Sequence, residues 1–420
     1  MGRPGAPAPL TANSRPRIPD RDTPTPRADD PAPPTAPAPC DPASHHPPEL
    51  RMTAAHDHLV RTPLDAEHEA LGATFTDFAG WRMPVRYGSD LAEHHAVRTA
   101  AGLFDLSHMG EVEFEGPQAG AALDHALTGA MSAMRVGRAK YSLLCADDGG
   151  VLDDLVVYRL AEERFLVVVN AANAGADATE LARRAEGFDV RVRDRSADTA
   201  LVAVQGPRAA EIVRGLVPDP AVVDELRYYA ATPAAVAGIE ILLARTGYTG
   251  EDGFELYVPG ADAPALWRVL LDAGRPHDLQ PAGLACRDTL RLEAGMALYG
   301  HELTVDTDPF AAGLRRVVAL DKEFVGRDAL AARAESEPAR VLVGLTGEGR
   351  RAGRAGAAVL DADGSLVGEV TSGVLSPTLG VPIALAYVDA ALAAPGTAVE
   401  LDVRGRRQPY TVTELPFYRR

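Results

Sequence analysis

The chain has 420 residues, 46% hydrophobic and 24% charged, with 59 acidic against 42 basic side chains and a formal net charge of −17. At roughly 100–200 residues per domain this is two or three domains with ample apolar material for cores, and the acidic balance argues against a dedicated nucleic-acid binder. No apolar run approaches the ~20 residues that span a bilayer, and Cys40, Cys145 and Cys286 stand too far apart for a zinc site, an iron–sulfur cluster or a disulfide framework, so a reducing, cytoplasmic setting fits.

Residues 1–51 hold 15 of the 33 prolines, and the first aromatic side chain is Phe75. With few apolar groups to bury, this stretch is predicted to be a disordered tail. It lacks the apolar core of a secretory signal, and its acidic content does not suit an organelle transit peptide. Met52 begins an ordinary sequence, so the tail reads as a product of start-site choice or as functionless.

From Leu59 onward the texture is mixed α/β. Leu91, Val97, Ala100 and Leu103 predict an amphipathic helix over 91–104. Extended runs at 141–145 and 151–158 flank the Gly/Asp turn at 146–150 and predict a hairpin. Strands follow at 165–169, 200–204, 239–244 and 254–258, and helices at 264–273 and 284–294. After a boundary at 335–340, short strands at 340–345, 368–373, 383–388, 398–403 and 410–415 predict a small β-barrel or sandwich.

No phosphate-binding GxxxxGK[ST], no GxGxxG between strand and helix, no HExxH and no GxSxG occurs. His94-His95 are adjacent, which sends their rings to different sides of a helix and does not suit a metal.

Three constellations can carry chemistry. In Val151-Leu152-Asp153-Asp154-Leu155-Val156-Val157-Tyr158, strand alternation puts Asp153 and Asp154 on opposite faces. Spacing alone leaves two readings: one carboxylate buried for a task, or both solvated beside the turn. In Gly247-Tyr248-Thr249-Gly250-Glu251-Asp252-Gly253 the glycines allow a tight turn or close approach to a ligand, and Glu255 and Tyr257 then share one strand face. In the helix at 284–294, Arg287 and Arg291 are i,i+4 neighbours, while Asp288 and Glu293 can pair locally.

Together with Asp77-Phe78-Ala79-Gly80-Trp81, Phe104-Asp105-Leu106-Ser107-His108-Met109-Gly110, Asn170-Ala171-Ala172-Asn173, Gln205-Gly206-Pro207, Arg287-Asp288-Thr289-Leu290-Arg291 and Ser376-Pro377-Thr378-Leu379, these blocks occur in a dense order over residues 59–419. In that order and spacing the chain resembles the aminomethyltransferases of the glycine cleavage system, the T proteins.

The resemblance implies an α+β fold: a three-domain cloverleaf around a central folate channel, with an all-β, barrel or jelly-roll-like last domain. The implied division is 52–112 with 197–286, 113–196 with 287–335, and 336–420. It implies transfer of the methylene of an S-aminomethyl-dihydrolipoyl group on the H protein to tetrahydrofolate, releasing ammonia. Tetrahydrofolate is then the co-substrate, with no metal and no nucleotide. The lipoylated H protein is a transient partner, other glycine cleavage proteins are functional ones, and neither nucleic acid nor membrane is involved. By resemblance Asp154 is the catalytic carboxylate, and Tyr141, Tyr158, Asn170, Tyr248, Glu255 and Arg287 form the folate site. A residue at the extreme C-terminus, Tyr418 or Arg419, joins them. Met296 departs from members that carry tyrosine there. Two other readings are a folate subunit of sarcosine or dimethylglycine oxidation, and a folate-dependent iron–sulfur assembly protein. The missing flavin fingerprint and the RDTLRLE block around Arg287 speak against them.

Overall fold

The structure, a computed structural model, describes residues 58–420. The tail expected over 1–51 lies outside the described residues. The remainder folds into two large sheets, a small hairpin and a closed barrel. The first sheet runs Ala231–Val236, Ile239–Ala244, Gly253–Pro259, Thr199–Gln205, Ala101–Asp105, Leu279–Pro281. Its pairings are antiparallel except the last, which is parallel. The second sheet runs Ala139–Cys145, Val151–Ala161, Arg164–Val169, Gly110–Glu115, Arg191–Asp194, all antiparallel. Six strands form the C-terminal barrel, which closes where Arg340–Gly347 pairs with both Pro382–Asp389 and Arg407–Thr413. The fold is therefore α+β with an all-β C-terminal barrel, as the sequence implied.

Strand alternation explains how the two sheets face each other. On Thr199–Gln205, Ala200, Val202 and Val204 pack with Leu266, Trp267 and Leu270 of helix Ala263–Gly274. On Arg164–Val169, Phe165, Val167 and Val169 pack with Leu123 of helix Ala119–Ala126 and Leu181 of helix Ala174–Arg184. The intervening residues, Leu201 and Ala203 on one strand and Leu166 and Val168 on the other, meet in a shared cluster with Tyr158 and Tyr257. Each sheet thus wears helices outside and turns its other face to its neighbour. Burying each such Val or Leu contributes on the order of 1.5–3 kcal/mol, so the alternation fixes which residues are left to line any space between the sheets.

The helix expected over 91–104 is shorter. It spans Asp90–Thr99, opened by the Ser89 hydroxyl accepting from the Ala92 amide at 3.3 Å. Ala100 leaves the helical conformation at φ −139°, and Ala101–Asp105 becomes a strand buried at all five positions. A central strand buried on both faces shows no two-fold alternation, so Leu103 and Phe104 merged with the helical pattern before them.

Helix Leu284–Glu293 lies between the first sheet and the barrel. Cys286 and Leu290 pack with Val97 and Phe104, and Leu292 packs with Ile383 and Leu385 of the barrel. Two of its charges, Arg291 and Glu293, are paired at long range. Arg98 binds Glu293 at 2.8 Å and Glu251 at 2.9 Å, and Arg291 binds Glu302 at 2.9 Å. Asp288 pairs locally with Arg291 at 2.8 Å, whereas Glu293 reaches Arg98 rather than a neighbour on its own helix.

Candidate active site

Between the facing sheets lies a cavity of about 530 Å³, to which the barrel contributes Leu342 and Leu415 at one side. Seven of the nine residues singled out from sequence line it: Tyr141, Asp154, Tyr158, Asn170, Tyr248, Glu255 and Arg287. Tyr418 and Arg419 do not. The Tyr418 ring lies 4.1 Å from the Arg98 guanidinium carbon, and its backbone amide donates to the Glu293 carbonyl at 2.9 Å. Those two contacts hold the ring against Arg98. Arg419 is exposed and bonds the Leu415 carbonyl at 3.3 Å. Arg420 lines an adjoining cleft with Tyr228, Arg245 and Met296, and Met296 also lines the main cavity.

Strand Val151–Ala161 sorts its aspartates by face. Val151, Asp153, Leu155 and Val157 are buried toward the helices, and Asp153 has no exposed surface. Asp154 keeps partial exposure and lines the cavity. The solvated-turn reading of the pair therefore fails. Tyr141 donates to Asp154 Oδ2 at 3.0 Å, and Asn170 Nδ2 donates to Oδ1 at 3.1 Å. Burial, reinforced by the neighbouring Asp153 charge, pushes the Asp154 carboxyl up to about 7 despite these two donors. A carboxylate poised near neutrality beside an enclosed space is suited to stabilising a cation or exchanging a proton.

Glu255 comes from the opposite sheet, on strand Gly253–Pro259. Thr246 Oγ1 and Tyr158 Oη both donate to its Oε2, the latter at 3.3 Å. Its Oε1 takes no hydrogen bond from the described residues, and burial raises its pKa against the pull of those donors and of Arg287. The acceptor that remains fits a flat ligand edge bearing two N–H groups. Arg287 has no carboxylate partner among the described residues; its guanidinium carbon lies 4.5 Å from the centre of the Tyr248 ring, and burial lowers its pKa. An unpaired guanidinium in an enclosed cavity is a site for an anionic or π-rich group.

The glycine loop beside Tyr248 has a reason within the protein. A side chain at Gly247 or Gly253 would meet Gln205 at 2.0 and 2.3 Å. Gln205 is held there by its own bonds, donating to the Thr246 carbonyl at 3.0 Å and accepting from Thr249 Oγ1 at 2.8 Å. This packing seats Thr246 under Glu255.

Sequence reasoning missed Tyr229 as a lining residue, while Tyr257, which it placed on the strand face of Glu255, lines the cavity too. Tyr229 holds a left-handed backbone at φ 57°, a conformation uncommon for an aromatic residue. The Tyr228-Tyr229 doublet in a chain with 5% aromatics was its one signal. No group of His, Cys, Asp or Glu that could hold a metal occurs among the described residues. His94 is bonded instead to Thr289 at 2.7 Å and Thr378 at 2.9 Å.

Comparison with known proteins matches this geometry to a family. Residues 64–322 match the GCVT N-terminal domain, and 340–419 the glycine cleavage T-protein C-terminal barrel domain. An aminomethyltransferase of Cutibacterium acnes is 60% identical, covering 86% of this chain and 99% of the relative. One from Moorella thermoacetica is 51% identical over 86% of this chain and 98% of its own length. The crystal structure of glycine cleavage system aminomethyltransferase T from Bartonella henselae superposes with a TM-score of 0.80 at 40% identity, covering 86% of this chain and 98% of that one. The chain belongs to the glycine cleavage T-protein family of aminomethyltransferases.

Proposed function

We infer that the cavity is the active site at which this aminomethyltransferase passes the methylene of an S-aminomethyl-dihydrolipoyl group to tetrahydrofolate, giving 5,10-methylenetetrahydrofolate, ammonia and the dihydrolipoyl carrier. The observation that carries the reading is the convergence of Glu255 from one sheet, Asp154 from the other and an unpaired Arg287 on one enclosed space. Relatives 51–60% identical bear the name aminomethyltransferase, and neither the sarcosine-oxidising nor the iron–sulfur reading is favoured.

The residues fit the folate. Bound tetrahydrofolate supplies N5 as the nucleophile. Glu255 accepts the ring N–H and exocyclic amine of the pterin, with Oε1 open and Oε2 steadied by Thr246 and Tyr158. Arg287 and Tyr248 bind the rest of the folate, and Arg420 in the adjoining cleft, or Arg419 beside it, takes the glutamyl carboxylates. Tyr141 and Asn170 fix both oxygens of Asp154. Its negative charge stabilises the positive character of the transferred carbon as ammonia departs. The lipoylated H protein brings the second substrate, and a cytoplasmic setting belongs to the same reading. So does the three-domain division into 52–112 with 197–286, 113–196 with 287–335, and 336–420.

The test is Asp154→Asn, which keeps the size and removes the charge. Ammonia release at saturating folate and H protein should fall by about 10²-fold or more, with the folate Kd changed much less. Turnover near wild type would remove Asp154 from the chemistry.

A further inference from the structure

Behind Asp154 lies a second acidic group that the reaction does not use. Asp177 is in the first turn of helix Ala174–Arg184, 3% exposed. Its Oδ2 is buried with no hydrogen-bond partner. Its carboxyl lies against that of Asp153 across the helix–sheet interface. Asp153 is already saturated on one oxygen: Asn170 Nδ2 and Asn173 Nδ2 both donate to Oδ1 at 2.9 Å. Its Oδ2 takes only the Asn170 backbone amide, at 2.9 Å. The same Asn170 Nδ2 reaches Asp154 Oδ1 at 3.1 Å.

We propose that Asp177 is a positioning residue for Asp154: its carboxyl keeps a proton, donates it as a hydrogen bond to Asp153, and so fixes the Asn170 amide that grips Asp154. The proposal rests on the reading of Asp154 as the reacting carboxylate.

The orphaned oxygen is the reason. Two ionised carboxylates in contact in a buried site repel each other, and neither can satisfy the other. With one proton between them, the orphan becomes a donor and the spare lone pair of Asp153 Oδ2 becomes its acceptor. Asp153 then carries a single charge, held by Asn170 and Asn173, which also sets their amide orientation. The groups facing Asp177 agree on balance. Burial, Asp153 and Asp154 raise its pKa, Arg184 on the same helix lowers it, and the net result is about 9. Burial, and after it the charges of Asp153, Asp177 and Asp154, raise the pKa of Tyr299, whose hydroxyl donates to the Val151 carbonyl at 3.2 Å. As pH rises through about 9, the pair becomes doubly charged, Asp153 is pushed off the asparagines, and the grip on Asp154 loosens.

The experiment uses the full chain. Infrared difference spectra of wild type minus Asp177→Asn at pH 8 should show a protonated-carboxyl carbonyl band that fades as the wild type is titrated past about pH 9. At pH 8 Asp154 itself is mostly ionised, so the band belongs to Asp177. Asp177→Ala, which leaves Asp153 without its donor, should lose about tenfold in kcat with the folate KM within about twofold. Asp177→Asn, whose amide still donates, should restore kcat to within about threefold and remove the alkaline limb of the kcat/KM profile. Absence of the band, or an Asp177→Asn enzyme as slow as Asp177→Ala, overturns the proposal. A band with full kcat in Asp177→Ala overturns the positioning role. Should Asp177→Ala not fold, the band and the alkaline limb of Asp177→Asn decide. Failure of the Asp154 reading is separate: it shows as an active Asp154→Asn enzyme while the band persists.

Discussion

The molecule carries two sets of buried charge, each entered by one arginine of helix Leu284–Glu293. Around Arg98, Arg291, Glu293 and Glu302 every charge is met. Arg291 bonds Glu302, Asp288, Ser372 and the Met296 carbonyl, and Glu293 bonds Arg98, His94, Ser376 and Thr378. In the cavity the charges are left partly unmet: among the described residues Arg287 lacks a carboxylate and one oxygen of Glu255 is free, and Asp154 is pushed up to about 7. A saturated network resists change and fixes geometry; an unsaturated one keeps free energy in reserve for a ligand.

That contrast can be tested at four points, in order of expected effect. Arg291→Met leaves the fully buried Glu302 without its cation, and should lower stability by about 3–5 kcal/mol, read as a fall in the denaturation midpoint. A loss under about 1 kcal/mol would show that the network is slack. Glu255→Gln replaces a double acceptor by an amide. Tetrahydrofolate affinity measured by calorimetry should fall on the order of ten- to a hundredfold, about 1.5–3 kcal/mol, while thermal stability holds or rises. An unchanged Kd would take Glu255 out of the binding site.

The third point is pH. The folded-state pKa of Asp154 lies above its ordinary value, so its useful charge is present above about 7 and is lost as pH falls through that value. The kcat/KM profile should drop about tenfold per unit below it. A flat profile down to pH 5 would mean that the charge is not required or that the carboxyl titrates lower. The smallest effect is at Arg287. Because it neutralises no partner, Arg287→Gln should cost at most about 1 kcal/mol of stability, the size of its contact with Tyr248, and show its loss in folate binding instead. A large fall in melting temperature would place Arg287 with the structural set.

The sequence contained the alternation that separates Asp153 from Asp154 and aligns Glu255 with Tyr257, because both strands have one face packed against helices: Leu155 and Val157 on the first, and Phe254, Leu256 and Val258 on the second. It did not contain the end of helix Asp90–Thr99, since strand Ala101–Asp105 is buried on both faces and offers no period to break the helical one. Helical spacing alone did not tell Arg287 from Arg291; only the resemblance assigned Arg287 to the folate site. Both sit one turn apart in the same block, and what separates them is Glu302 and Ser372, 11 and 81 residues beyond Arg291. The contact between the Tyr418 ring and Arg98 was hidden for the same reason: the two are distant in sequence.

Helix Leu284–Glu293 presents Arg287 to the cavity at one end and anchors Glu293 between Arg98 and the barrel loop at the other. Ten residues at about 1.5 Å each make a stiff rod of roughly 15 Å. The rod is clamped at its far end, so the near end inherits the tolerance of the clamp. A loosened Ser376 or Thr378, remote from any ligand, would therefore blur the aim of a guanidinium it never touches. Variants in the barrel loop would then read in assays as defects of recognition, although every residue around the cavity is intact.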